Sequence, residues 1–440
     1  MLPLCTLAAA LVFGQLFRRL GARFRPFGGQ KSHAPLQFLA ASDAQNAEIS
    51  SILLPCTGRY DQPAQALKWL AILAARLPKQ VMFLVESASD PALGHIFQFL
   101  VGIGLEATCE IQRCGGQNCD QNGQLLSEGE NWPFPASTVQ IVISGTSYDK
   151  SQKIHGLLAA LPLAGGVNLV VLDDDVLVQA QLLPNLVNSL KQSDITTGYS
   201  VEYPINNRNY WSLMICAYRA INLISFSGPQ PPFLWGGMFA ITRAKFDEFE
   251  VEKLYQDHCY SEDMSLSFLA RQRGLSIGTN SGLLASNQVA DVSFMQYANY
   301  TKRQLYVLTM YTNKAHFIQN TLMLMGIALG GLFVNCILGF AVFQVCSVEL
   351  LYQHYYMVIY IVCIFWVGKS VNVAISGCLA QLGQSVELGD FRMGLAMVAH
   401  LALLPVFVLQ VVCTRRIQWG RSIFERRDGR VFRVFKDLSE

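Results

Sequence analysis

The chain has 440 residues, of which 52% are hydrophobic and only 15% charged, with a formal net charge of +2. A typical soluble domain carries about 25% charged residues, so part of this chain belongs in lipid. The near-neutral balance argues against a nucleic-acid partner, whose binding domain would show a strongly basic face.

Residues 2–17 are almost wholly apolar and are followed by Arg18, Arg19, Arg23, Arg25 and Lys31. With no basic residue before the run and no clean cleavage site, the pattern predicts an uncleaved N-terminal anchor over 1–25 with the following segment in the cytosol. At ~1.5 Å per residue the run is a little short for a hydrocarbon core of ~30 Å, so a thin span and an interfacial position both stay open.

From 46 to 315 short apolar β-type runs alternate with amphipathic stretches, which predicts an α/β domain. Strands are expected over 49–55, 81–86, 139–143 and 168–172, and helices over 63–77 and 91–105, where apolar residues recur at three and four. The stretch 109–135 reads as a long polar surface insertion. Its Cys109, Cys114 and Cys119 have no CxxC pair or histidine partner, so neither a zinc site nor a disulfide framework is supported.

Beyond 317, apolar runs over 318–345, 351–367 and 393–413 predict transmembrane helices within 318–413. Cys336, Cys363 and Cys413 fall in or at the end of these runs and read as small packing residues. The amphipathic stretch 369–392 suits an interfacial or re-entrant segment. The basic tail 414–440 should stay cytosolic, yet three crossings from a cytosolic domain would export it, so one run is expected not to cross fully.

In an open α/β sheet, ligands collect at the carboxyl ends of the strands. Three polar clusters fall at such ends: the segment from Pro55 to Arg59, the segment from Glu86 to Asp90, and Asp173-Asp174-Asp175. Asp173 and Asp175 offer hard oxygen ligands for Mg2+ or Mn2+, or form an exposed acidic turn. Ser261-Glu262-Asp263 opens a helical pattern whose positive end favours ionised carboxylates, as a general base requires and as ordinary helix charge complementarity also provides. Trp235-Gly236-Gly237 allows backbone to approach a ligand closely, or makes a bulge entering a strand. Lys302-Arg303-Gln304 carries cations for a leaving diphosphate, or flanks a membrane run.

In this order the segments resemble the membrane-bound family 2 glycosyltransferases, especially the ceramide glucosyltransferase-like branch. The resemblance covers about residues 50–315, with an echo at Gln418-Trp419-Gly420-Arg421. It implies a GT-A fold, a Rossmann-like nucleotide-sugar-binding domain, joined to transmembrane helices, and transfer of sugar from a nucleotide-sugar donor, usually with a divalent metal. By position, Pro55 and Glu86 resemble the nucleotide-base and ribose contacts, and Gln152 with Lys153 the segment under the nucleotide. Asp173 and Asp175 match the DxD motif, Trp235, Gly236 and Gly237 the strip beside donor sugar and acceptor, and Asp263, preceded by Glu262, the catalytic base. Arg303 and its neighbour Gln304 correspond to the (Q/R)xxRW motif, with Tyr300 and Gln304 in place of its ends.

The resemblance thus implies a multi-pass integral membrane protein with a cytosolic catalytic domain and a lipid or membrane-associated acceptor. With one base and no evident enzyme nucleophile, inversion at the anomeric carbon is expected. A processive polysaccharide synthase is the alternative, weakened by the eroded (Q/R)xxRW motif and by apolar runs with few polar groups apart from residues such as Asn335. A catalytically silent membrane scaffold is another, opposed by the intact acids at 173, 175 and 263.

Overall fold

The computed structural model describes residues 15, 49–58, 62–75, 77, 79–103, 108–111, 137–179, 181–226, 228–347, 350–386, 388–420 and 422–436. The expected anchor over 1–25 lies outside these residues apart from Gln15, as do Arg59 and residues 112–135 of the expected insertion, whose first three residues, 109–111, are strand instead. The chain forms two compact units, one made of 30–199, 228–285 and 422–440, the other of 1–29, 200–227 and 286–421. These units cut across the boundaries read from the sequence at 315 and 414.

The first unit is built on β1 (Ser50–Cys56), β2 (Lys79–Val85), β3 (Thr108–Ile111), β4 (Ser137–Ile143), β5 (Asn168–Leu172) and β6 (Ile195–Thr197). Further along the chain come β8 (Met238–Thr242) and β9 (Ile277–Gly278) of the same unit, and β7 (Tyr199–Pro204) and β10 (Leu284–Val289), most of whose residues belong to the second unit. Eight of these make one sheet in the order β3-β4-β2-β1-β5-β8-β6-β9, and β7 pairs separately with β10. The strands from β3 to β5 in that order run parallel, while β8 is antiparallel to β5 and to β6. All four expected strands are present to within two residues at each end.

The central strands are continuous apolar runs because both faces of the sheet are covered. Alternate residues of each strand go to opposite faces. Ile52, Leu54, Phe83 and Leu172 join one buried cluster, which includes Trp69 and Ile96. Leu53, Met82, Leu84 and Val171 join the other, with Ile154, Leu157 and Leu266. Trp69, on the helix Gln62–Ala74, meets Phe83 edge-on at 5.5 Å between centroids. The helices Gln152–Ala160 and Glu262–Arg273 start with Ser151 and Ser261, whose side chains accept from the backbone N–H of Ile154 and Met264. These caps fix the chain entry at the two places where polar residues matter most.

The tail read as basic sequence is instead β11 (Arg416–Trp419) in the second unit and a hairpin of β12 (Ser422–Arg427) and β13 (Arg430–Lys436) in the first. Phe424, Val431 and Val434 are its buried residues. Val431 and Val434 are three apart, so no two-residue period marks the strand among its arginines.

In the second unit, helices Lys314–Ser347, Leu350–Gln381 and Asp390–Cys413 contain segments long and apolar enough to cross a membrane. The expected interfacial or re-entrant segment 369–392 does not form: residues through Gln381 continue the second helix, and only 382–389 break the helical run. Its polar residues serve internal bonds. Asn372 Nδ2 donates to Leu388 O at 2.5 Å and to Asp390 Oδ1 at 2.8 Å, and Ser370 donates to Trp366 O. At Gly368 and Gly394 an added Cβ would stand 1.7 Å from Asp390 O and 2.0 Å from Ile364 O, so two helices meet there backbone to backbone. Cys363 is buried, but Cys336 and Cys413 are exposed among the described residues rather than packed.

Candidate active site

The polar ends of β1, β2 and β5 lie at the same edge of the sheet because the three strands are parallel and in register. Antiparallel β8 begins where β5 ends, and Asp173 N–H donates to Gly237 O at 2.9 Å. This brings Trp235, Gly236 and Gly237 beside the aspartates.

Lys153 joins the site's acids. Its Nζ donates to Asp173 Oδ1 at 2.6 Å and to Gly236 O at 2.8 Å, and makes a close ion pair with Glu262 Oε1. Burial alone would lower the lysine's pKa, but the carboxylates of Asp173 and Glu262 outweigh it and hold the ammonium charged. Burial pushes the Glu262 carboxyl up, against the pull of Lys153.

Asp263 is held differently. Its Oδ2 accepts from Gly236 N–H at 2.9 Å, while Oδ1 accepts from Met264 N–H at 2.7 Å and from the Ser261 hydroxyl. Each carboxylate oxygen has two lone pairs, so Oδ2 retains capacity for one more donor. Glu262 is buried and Asp263 only partly so. An added Cβ on Gly236 would stand 2.8 Å from Glu262 Oε1 and 2.9 Å from Asp263 Oδ2, so no side chain fits between the acids.

The remaining expected residues divide. Pro55 is the penultimate residue of β1, partly buried, and the loops after β1 and β2 are tied by Gly58 N–H donating to Asp90 Oδ1 at 2.9 Å. Glu86 follows β2, accepts from Thr146 Oγ1 at 3.1 Å and pairs with Lys436. The Gln152 side chain braces its own loop, accepting from Ser147 N–H at 2.9 Å and donating to Gly145 O at 2.8 Å. The Trp235 ring lies 5.6 Å from that of Tyr199, and the Trp235 backbone N–H donates to Thr197 Oγ1.

Arg303 and Gln304 lie on the helix Phe294–Tyr306 of the second unit. The Arg303 guanidinium is 5.5 Å from the Trp419 ring centre and 6.0 Å from that of Tyr300. The aromatic missing from position 304 thus has a counterpart 115 residues downstream in the chain numbering, within cation–π reach of Arg303.

Sequence reasoning missed three supports. Gln65 Nε2 and Lys68 Nζ each donate, at 2.7 Å, to the backbone carbonyls of Asp174 and Asp175, fixing the acidic turn. Their spacing of three on a helix facing the sheet was a usable signal. Lys436 had no such signal.

Among the described residues no group of three or more His, Cys, Asp or Glu converges as a metal site. Were a divalent ion bound, Asp173 and Asp175 are the pair that would hold it. That set fits Mg2+ or a similar hard ion, which takes one or two carboxylates and completes its shell with substrate phosphates and water.

No known protein family matches the chain, and no curated protein matches it. Among solved structures it is similar to a mannosyltransferase from Pyrobaculum calidifontis, in complex with GDP-Man and Mn2+. That alignment is 14% identical, covers 93% of this chain and 98% of the other, and has a TM-score of 0.42. It is also similar to S. aureus TarS in complex with UDP-GlcNAc, at 11% identity, 88% and 99% coverage and a TM-score of 0.33. A third is glucosyl-3-phosphoglycerate synthase of M. tuberculosis, at 11% identity, 60% and 80% coverage and 0.29.

Proposed function

We propose that the chain is a membrane-bound glycosyltransferase with a GT-A fold, passing a sugar from a nucleotide-sugar donor to a lipid or membrane-associated acceptor. The observation that carries this reading is the convergence of Asp173, Lys153, Gly236, Glu262 and Asp263 at the carboxyl edge of the sheet. Asp263 is the general base. Its Oδ2 takes the proton of the acceptor hydroxyl as that oxygen bonds to the anomeric carbon and the carbon–oxygen bond to the diphosphate breaks, its electron pair leaving with the diphosphate. Displacement by a single base inverts the anomeric configuration. Glu262 is a poor candidate for this role because its carboxylate is buried against Lys153; it fixes the lysine instead. Asp173 and Asp175 would hold Mg2+ or Mn2+, which supplies charge neutralisation to the diphosphate. The resemblance assigns Arg303 to the same charge.

Membranes containing the chain, incubated with a panel of nucleotide sugars and Mn2+, should yield a sugar-bearing product in the lipid fraction with inverted anomeric configuration. Mass analysis of lipid and polymer fractions checks this. Retention of configuration would refute the single-base mechanism, and a polymer would replace the single-transfer reading.

The make-up of the first unit supports one membrane arrangement. Val431 and Val434 donate their backbone N–H groups to His258 O and Tyr148 O, so the hairpin after residue 421 is part of the same body as the strands before residue 286. One folded body lies on one side of a bilayer, so the chain between must cross an even number of times.

We infer that Lys314–Ser347 and Leu350–Gln381 cross and Asp390–Cys413 does not. The third helix and the residues just beyond it are tethered by non-spanning helices: Tyr210 donates to Leu395 O at 2.9 Å, Tyr297 meets His400 Nδ1 at 2.8 Å, and Tyr306 donates to Arg415 O at 3.0 Å. The basic residues from Arg415 onward then remain on the cytosolic side. In sealed vesicles of a cysteine-depleted chain, Gln384→Cys and Thr414→Cys should react with an impermeant maleimide from the same side, and Ser347→Cys from the other. Labelling of 384 and 414 from opposite sides would overturn the arrangement.

A further inference from the structure

We propose that Lys436, on the last strand, is a positioning residue of the nucleotide pocket, acting through Glu86; this rests on the glycosyltransferase reading above. The Lys436 ammonium stands 2.7 Å from Glu86 Oε1 and 2.9 Å from Oε2, and 2.9 Å from Ser422 Oγ. The ammonium donates to Glu86 Oε2 and to Ser422 Oγ and lies at ion-pair distance from Oε1. It is therefore a counter-charge and orienter of the carboxylate.

The hairpin that carries Lys436 is built into the site's supports. Val434 N–H donates to Tyr148 O at 3.0 Å, in the loop that leads into the helix bearing Lys153. Val431 N–H donates to His258 O at 3.1 Å, Arg430 pairs with Asp257 at 2.6 Å, and Phe424 meets Tyr260 edge-on at 5.2 Å. Those three partners immediately precede Ser261-Glu262-Asp263. The hairpin thus clamps the two segments that deliver the lysine and the base, and its end reaches Glu86 at the rim of β2.

The chemistry gives this contact a purpose. Glu86 is the carboxylate that would accept hydroxyl groups of a ribose, but an uncompensated carboxylate repels the polyanionic diphosphate of the same ligand. With Lys436 and Thr146 on Oε1 and Lys436 alone on Oε2, the charge is neutralised while Oε2 still has a lone pair for a hydroxyl.

The test is titration of the full-length chain in detergent with UDP and with GDP, each with Mn2+, followed by calorimetry. For the nucleotide that the parent chain binds, Lys436→Ala should weaken affinity about tenfold and Lys436→Arg should restore most of it, as expected for loss of one partner of a sheltered ion pair. In a Glu86→Gln background, Lys436→Ala should change nothing, because the charge it balances is gone. This background also covers the case in which the single variant fails to fold. Unchanged or tighter binding by Lys436→Ala, or an equal loss in the Glu86→Gln background, would overturn the proposal alone. Failure of the parent chain to bind either nucleotide would overturn the glycosyltransferase reading with it.

Discussion

Asp263→Asn should leave nucleotide binding within about twofold of the parent while lowering sugar transfer by roughly 10²–10⁴-fold, the range for removal of a general base. The residue sits at the start of the helix Glu262–Arg273 with three donors around its carboxylate. An amide keeps the size and can still satisfy most of these donors, but its nitrogen cannot accept from Gly236 or Met264. Some loss of stability is therefore expected, and the thermal midpoint must be read beside the rate. The informative comparison is transfer against nucleotide affinity measured on one preparation. If transfer survives at the parent rate, another group takes the proton.

The second large effect concerns folding. Lys153→Met removes the only ammonium that touches both Asp173 and Glu262 among the described residues, leaving Glu262 buried against like charge. Breaking a buried pair in this way costs about 3–5 kcal/mol. Denaturant titration of the detergent-solubilised chain should show the loss, and Glu262→Gln added to Lys153→Met should recover part of it. A single variant as stable as the parent would mean that solvent already screens the cluster.

The parallel strands β1, β2, β4 and β5 were legible because a sheet covered on both faces demands uninterrupted apolar runs of strand length. The clusters at Pro55, Glu86 and Asp173 were legible for the same reason: polar residues that end such runs must lie at one edge. The short strands β6 and β9 carried too few residues to show a period. The pairing of Lys153 with Glu262 spans 109 positions of the numbering and has no local trace. The strands of the tail left little trace for a different cause. Its arginines dominate any compositional view, while only Phe424, Val431 and Val434 record that it is a buried hairpin. The polar positions in 369–381 misled in the opposite direction, since helix-to-helix hydrogen bonds and an exposed polar face look alike in one dimension.

The hairpin at the end of the chain also sets an order of events at synthesis. Strands β1 to β6 leave the ribosome early, but the body they belong to stays open on one side until residues 422–436 emerge. In between, the segment Ser286–Arg421 with its three long apolar helices must be made, which takes on the order of ten seconds at usual elongation rates. Completion of the unit therefore follows synthesis of the apolar helices. A chain cut before residue 422 lacks the hairpin's bonds to Tyr148 and His258 and the pairing of Lys436 with Glu86.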